Sequence, residues 1–93
     1  MGLKPKQARG RRAAITFGRV LKELRLGAQL SQESLATLAG VKVQQIAKLE
    51  KGIADPTLVM IFQLAAALGL EPSALIARLE GKLRSRLTYV IDP

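Results

Sequence analysis

The chain has 93 residues, of which 48% are hydrophobic and only three are aromatic. This length and composition suit one small domain with an aliphatic core and exclude a wholly disordered chain. The sequence contains no Cys and no His, so disulfides and thiolate metal sites are excluded and the usual general base is missing. No phosphate-cradling glycine loop or carboxylate cluster replaces them, so we expect no enzymatic activity, no metal and no cofactor.

The net charge of +8 makes a polyanion the natural partner. Five of the fifteen basic residues lie within the first twelve, a segment that lacks apolar periodicity. We therefore predict a flexible basic arm over residues 1–12, from which Arg11 and Arg12 contact phosphates and release condensed counterions. The same composition also suits a solvated tail or an organelle transit peptide.

No stretch approaches the roughly 20 apolar residues that a membrane span requires. The charged N-terminus is not followed by an apolar segment, so it does not resemble a secretory signal. We expect a cytoplasmic protein without membrane contact.

Helical periodicity begins at Ala13 and continues to about Gly27. The second predicted helix has Ser31 as its N-cap and ends at Gly40. A third runs from about residue 42 to 50 with Ile46 and Leu49 facing inward. The buried side of a fourth, which Thr57 caps and Gly69 closes, is expected to consist of Leu58, Ile61, Leu64, Ala65 and Leu68.

Pro72 is well placed as the first residue of a fifth helix, which ends at Gly81 or Arg84. Residues 87–91 are rich in β-branched and aromatic side chains and predict a short strand. The fold prediction is thus an all-α, five-helix domain over residues 13–80, with a basic arm and an extension over residues 81–93. That extension is the expected dimerisation element because it and helix five are rich in apolar residues: Leu79, Leu83, Leu87, Tyr89, Val90 and Ile91.

The connection between helices two and three narrows the choice of fold. Ala36 is small enough for the next helix to approach, Gly40 supplies a turn, and Ile46 and Leu49 hold the third helix to the core. These offsets are typical of two helices that cross steeply through a short turn, the arrangement of a DNA-binding helix-turn-helix.

The stretch from Phe17 to Ile76 resembles the helix-turn-helix domains of lambdoid phage repressors and Xre-type bacterial regulators. The resemblance is carried by LKELR, LSQESLATLAGV, IAKLEKG, DPTLVMIFQLAAALGL and EPSAL. It implies the five-helix lambda-repressor-like fold and binding of double-stranded DNA, with the third helix in the major groove.

The resemblance also implies roles for particular side chains. Four would contact bases from the recognition helix: Lys42, Val43, Gln44 and Lys48. Three more would join the arm's arginines on the phosphates: Gln32, Gln45 and Lys51. Arg25 and Glu50 would form an internal ion pair between helices one and three. Lys42 stands where the family often has a Ser or Thr cap, and Val43 offers no hydrogen bond, so readout is expected to depend partly on DNA shape.

The resemblance favours a nucleoid-associated transcriptional regulator, in particular a repressor that binds a near-palindromic operator as a homodimer. A controller of a restriction–modification system is one version of this function. The alternative is an antitoxin that binds a toxin and represses its own operon, because some antitoxins with this motif end in a strand that pairs across the dimer.

Overall fold

The computed structural model describes the backbone of residues 5–91 and the side chains of residues 10–84. The described chain consists of five α-helices, and no strand occurs between residues 5 and 91. They are α1 (Pro5–Gly27), α2 (Gln32–Ala39), α3 (Val43–Glu50), α4 (Leu58–Ala67) and α5 (Pro72–Ile91). The predicted all-α, five-helix class is therefore confirmed.

Helix α1 begins at Pro5, eight residues before the predicted start at Ala13. Residues 5–12, which belong to the predicted basic arm, therefore have helical backbone. Proline is favourable at the first position of a helix, and the following residues include Lys, Gln, Ala and Arg, which are strong helix formers. Apolar periodicity reports only which face is buried, so its absence did not exclude a helix here.

The caps of the middle helices agree with the sequence prediction. Ser31 Oγ accepts a hydrogen bond from the backbone N–H of Ser34 at 3.0 Å, and Thr57 Oγ1 accepts one from Met60 at 3.1 Å. Gly40 ends α2 with φ of 73°, a left-handed conformation in which a side chain would be strained. Ser31 and Thr57 thus mark the starts of α2 and α4, and Gly40 ends α2 just before the short connection to α3.

The hydrophobic core is formed by all five helices around one cluster of aliphatic side chains and one phenylalanine. Its fully buried large members come from each helix in turn: Phe17, Leu21, Leu35, Ile46, Leu49, Leu64 and Leu75. Leu58 is not among them, although the sequence predicted it to be buried, and its residue surface is 72% exposed. Leu58, the first residue of α4, therefore faces away from the core.

Helix α5 continues without interruption from Pro72 to Ile91, so the predicted strand over residues 87–91 is wrong. Gly81 does not end the helix, and the predicted boundary between domain and extension falls inside α5. An exposed pair between Arg84 and Glu80, one turn apart, supports the helix beyond Gly81. The β preference of a five-residue segment is too weak to oppose extension of a helix that is already formed.

Among the described residues, no single helix is both long and apolar enough to cross a membrane. The bent pair of Leu58–Ala67 and Pro72–Arg84 meets those criteria only when its two parts are counted together.

Candidate nucleic-acid interface

Helix α3 presents one polar and one apolar face. Ile46 and Leu49 are fully buried and fix the helix to the core, whereas Gln44 and Lys48 are exposed. Gln44 and Lys48 are four residues apart, so their side chains project from the same side of the helix. This face combines a carboxamide, which can donate and accept, with an ammonium group, which can only donate.

Three further predicted side chains lie around this face. Lys42 directly precedes α3 and Lys51 directly follows it, and both are exposed. Val43 is half-buried and packs against the hydrophobic core. Of the four residues predicted to contact bases, Val43 thus has the smallest free surface.

Gln32 is the first residue of α2, and its side chain is turned towards the end of α3. Its Nε2 donates a hydrogen bond to Glu50 Oε1 at 2.9 Å. The sequence did not indicate this contact, because no local pattern links two residues 18 positions apart and the family resemblance assigned Gln32 to a phosphate instead. It fixes the N-terminus of α2 relative to the C-terminal end of α3.

Arg25 and Glu50 form a bidentate ion pair between α1 and α3. Arg25 Nε donates to Glu50 Oε2 at 2.6 Å, and Arg25 Nη2 donates to Glu50 Oε1 at 3.0 Å. Arg25 Nη1 also donates to the carbonyl oxygen of Leu30 at 2.9 Å. The two side chains are only 9% and 4% exposed, so the pair is largely shielded from competing water.

The electrostatics of this cluster favour the charged forms of both partners. Burial of Glu50 opposes its ionisation, but hydrogen bonds from Arg25 and Gln32 and the charges of Arg25 and Lys22 outweigh it. The pKa of Glu50 therefore lies below its ordinary value of 4.5. The hydrogen bond to Glu50, opposed by burial and aided by the carboxylate charge, raises the pKa of Arg25.

Gln45 supplies one half of a capping box at the start of α3, where Lys42 makes no capping side-chain hydrogen bond. Gln45 Oε1 accepts a hydrogen bond from the backbone N–H of Lys42 at 2.9 Å. This is the glutamine half of a capping box, in which the third helical residue reaches back to the residue before the helix. The spacing Lys42-x-x-Gln45 was visible in the sequence, but the serine or threonine half of the motif was absent.

Arg11 and Arg12 are exposed on α1. Arg11 lies at a shallow cleft that it shares with Gly52, Ile53 and Asp55 of the loop after α3. The structure thus places Arg11 beside the loop that begins at Lys51.

Two of the predicted dimer-interface residues lie within the described side chains. Leu79 is half-buried against the core, and Leu83 is also half-buried. The side chains of Leu87, Tyr89, Val90 and Ile91 lie outside the described residues.

Comparison with known proteins agrees with this geometry. The Helix-turn-helix family (HTH_3) matches residues 21–75, which span α2, α3 and α4. The restriction–modification controller protein C.AhdI from Aeromonas hydrophila, whose crystal structure is known, is 42% identical in sequence to this chain. The matched region covers 67% of this chain and 94% of C.AhdI, and the two structures superpose with a TM-score of 0.65.

Two other solved structures resemble the chain. An HTH_3 family transcriptional regulator from Vibrio cholerae is 28% identical with a TM-score of 0.69 and covers 74% of this chain, which spans 39% of that regulator. The clp gene regulator ClgR from Corynebacterium glutamicum is 17% identical in sequence, and the match covers 83% of this chain and 82% of ClgR. The TM-score of 0.74 shows that the two proteins share a fold. No curated protein sequence matches the chain.

The described chain combines a second helix anchored at its N-terminus, a short turn and a third helix with a polar outer face. This combination defines a helix-turn-helix DNA-binding domain. The chain belongs to the lambda-repressor-like, or Xre-type, helix-turn-helix family. This is a family of DNA-binding transcriptional regulators rather than of enzymes, and the protein is a regulator of that kind.

Proposed function

We propose that the protein is a sequence-specific transcriptional repressor that binds a near-palindromic operator as a homodimer and acts in the cytoplasm on the nucleoid. The observation that carries this proposal is the outer face of α3, where Gln44 and Lys48 are exposed while Ile46 and Leu49 hold the helix to the core. Gln44 would pair with an adenine edge, and Lys48 with a guanine or a phosphate. Val43 would add apolar contact with a thymine methyl group.

Phosphate contacts would surround this reading face. Gln32 at the start of α2, Gln45 on α3 and Lys51 after α3 would position the helix in the groove. Arg11 would extend these contacts along the backbone, because it lies beside the loop after α3, and Arg12 would add charge from the same helix. These contacts supply affinity without sequence information.

The dimer would bring two such faces onto one operator. Leu58, Val59 and Phe62 form an apolar stripe on α4, since positions 58 and 62 lie on one side of the helix and 59 lies three residues from 62. These residues are 72%, 66% and 56% exposed, which is unusual for adjacent large apolar side chains on a monomer. We therefore propose that a second copy of the chain covers this α4 stripe.

A two-fold contact through the α4 stripe uses the same surface on both chains. To reach two half-sites, the dimer would have to hold its recognition helices about 34 Å apart, one turn of DNA. The predicted contribution of α5 remains part of the proposal, and its residues are Leu79, Leu83, Leu87, Tyr89, Val90 and Ile91. Phe62→Lys should convert a dimer to a monomer in sedimentation experiments. Leu26→Lys is the matched control, because Leu26 is 55% exposed on α1, outside the stripe. A Phe62→Lys protein that still sediments as a dimer would exclude the stripe.

Control of restriction–modification genes is the version of this function that C.AhdI favours, because that protein is a controller of such a system and the likeness extends over nearly its whole length. The antitoxin alternative depends on a C-terminal strand. The helical backbone through Ile91 removes that reason, and no toxin partner is proposed.

Selection of bound fragments from random DNA tests the function directly. We expect an inverted repeat with half-sites about 10 base pairs apart. On that site Gln44→Ala should cost roughly 1–3 kcal/mol, with little loss on random DNA. Placed in a promoter reporter, the same site should lower expression when the protein is present. Selection that enriches no sequence would contradict specific binding, and raised expression would contradict repression.

A further inference from the structure

The two neighbouring glutamines of α3 differ in what they can offer to DNA. A carboxamide has one acceptor oxygen and two N–H donors. Reading an adenine edge requires the oxygen and an N–H together, whereas binding a phosphate requires N–H groups alone. Whether a carboxamide oxygen is already bonded inside the protein therefore decides which task its side chain can perform.

The oxygen of Gln45 is already engaged inside the protein. It accepts the backbone N–H of Lys42 at 2.9 Å, and the side chain is otherwise exposed. Because a backbone N–H can only donate, the carboxamide must turn its oxygen towards Lys42. Its two Nε2 hydrogens make no hydrogen bond to the described residues and stay available on an exposed side chain. Among the described residues, no hydrogen bond holds the side chain of Gln44, so both of its polar groups are free.

We infer that Gln45 performs two tasks at once: its oxygen caps α3 and its available N–H groups hold a DNA phosphate. Gln44 is then the glutamine of α3 that reads a base. The cap fixes the orientation of the Gln45 donors before DNA arrives, so less side-chain freedom is lost on binding. This inference rests on the proposed function, since it assigns roles within the same DNA-binding face.

Gln45→Glu separates the two tasks. The carboxylate keeps the oxygen that caps Lys42, and a negative charge in the first turn is favourable for the helix. It removes both N–H donors and places a charge against the phosphate. We expect a melting temperature at or above that of the wild type, together with an affinity at least about tenfold lower on both operator and random DNA.

Two variants complete the experiment. Gln44→Glu adds the same charge one residue away, but should lose affinity mainly on the operator and keep its melting temperature, because Gln44 has no capping role. Gln45→Met lacks both the oxygen and the donors, so its melting temperature and its affinity should both fall. A neutral methylphosphonate placed at each operator position in turn should weaken the wild type at one phosphate where Gln45→Met is insensitive.

The outcomes separate the possibilities. A melting temperature lowered by Gln45→Glu would show that the oxygen is not the cap, and unchanged binding to random DNA would remove the phosphate contact. Equal losses on random DNA for Gln44→Glu and Gln45→Glu would assign the effect to charge alone and overturn the inference. A wild-type protein that enriches no sequence would instead contradict the proposed function.

Discussion

Gly18 of α1 lies directly against the backbone carbonyl oxygen of Leu49 in α3. A Cβ atom at position 18 would overlap that oxygen and would stand 2.9 Å from the carbonyl oxygen of Glu50. Because the obstacle is backbone rather than a flexible side chain, α1 and α3 could accept a methyl group only by moving apart. The close approach also brings Arg25 within reach of Glu50.

Gly18→Ala should therefore destabilise the domain by about 2–4 kcal/mol, through overpacking and separation of the two helices. The free energy of unfolding in urea measures this directly. Gly10→Ala in the same helix is the control, because nothing lies within 4 Å of its added Cβ. It should stabilise the protein by about 0.5–1 kcal/mol through helix propensity. If the two variants are equally stable, the close packing at Gly18 is refuted.

The buried ion pair predicts a specific dependence of stability on pH. The folded-state pKa of Glu50 lies below its ordinary value of 4.5, so the unfolded chain binds its proton more readily. The stabilisation is present above the unfolded pKa and is lost as pH falls through the folded pKa. Urea unfolding between pH 7 and pH 3 should show this loss, and Glu50→Gln should show less of it.

Removing the Glu50 carboxylate should cost about 3–5 kcal/mol at pH 7, because Arg25 would remain charged and shielded from water. Exposed pairs such as Lys82 with Glu23 offer the comparison, since their side chains are 53% and 62% exposed. Glu23→Gln should change stability by less than about 1 kcal/mol. A similar small cost for Glu50→Gln would mean that water reaches the buried pair.

Thr16 carries a buried hydroxyl group that has no hydrogen-bond partner among the described residues. The residue is only 3% exposed. Thr16→Val keeps the shape and removes the unsatisfied oxygen, so it should raise the free energy of unfolding by about 1–3 kcal/mol. Thr16→Ser retains the hydroxyl but loses a methyl group and should lower it. Destabilisation by Val would indicate that the hydroxyl has a partner in solution.

The arginines of α1 predict how DNA binding responds to salt. Replacing both Arg11 and Arg12 by alanine should reduce the slope of log affinity against log salt by about 0.9 for each phosphate that is no longer neutralised. Sequence preference should change little, since phosphate contacts carry no base information. Arg84→Ala is the control, because Arg84 pairs with Glu80 on α5. Equal slopes for the wild type and the double variant would place α1 away from the DNA.

The sequence predicted the middle of the fold well because its signals there are local. Ser31, Gly40 and Thr57 act on backbone groups within a few residues, and the structure has each of them as a cap. The first and last helices differ from the prediction for one shared reason. The start of α1 at Pro5 and the continuation of α5 through Gly81 depend on helix propagation, which neither apolar periodicity nor β preference reports.

The candidate site was less accessible to sequence reasoning where it depends on tertiary contacts. The family register placed Arg25 opposite Glu50, and the structure brings them together. Nothing in the sequence indicated that Gln32 joins the same carboxylate or that Gly18 sets the distance between their helices. Exposure of Leu58 was also hidden, because periodicity alone cannot decide which of two apolar faces of α4 meets the core.

The separation of tasks along α3 has a consequence for how this protein could be re-targeted to new operators. Gln44 and Lys48 make no hydrogen bond to other described residues, so many substitutions there should leave folding intact while changing the preferred site. Gln45 and Glu50 are tied to Lys42 and Arg25, and changes there would alter the scaffold itself. Libraries that vary only positions 44 and 48 should therefore yield folded regulators with new DNA preferences.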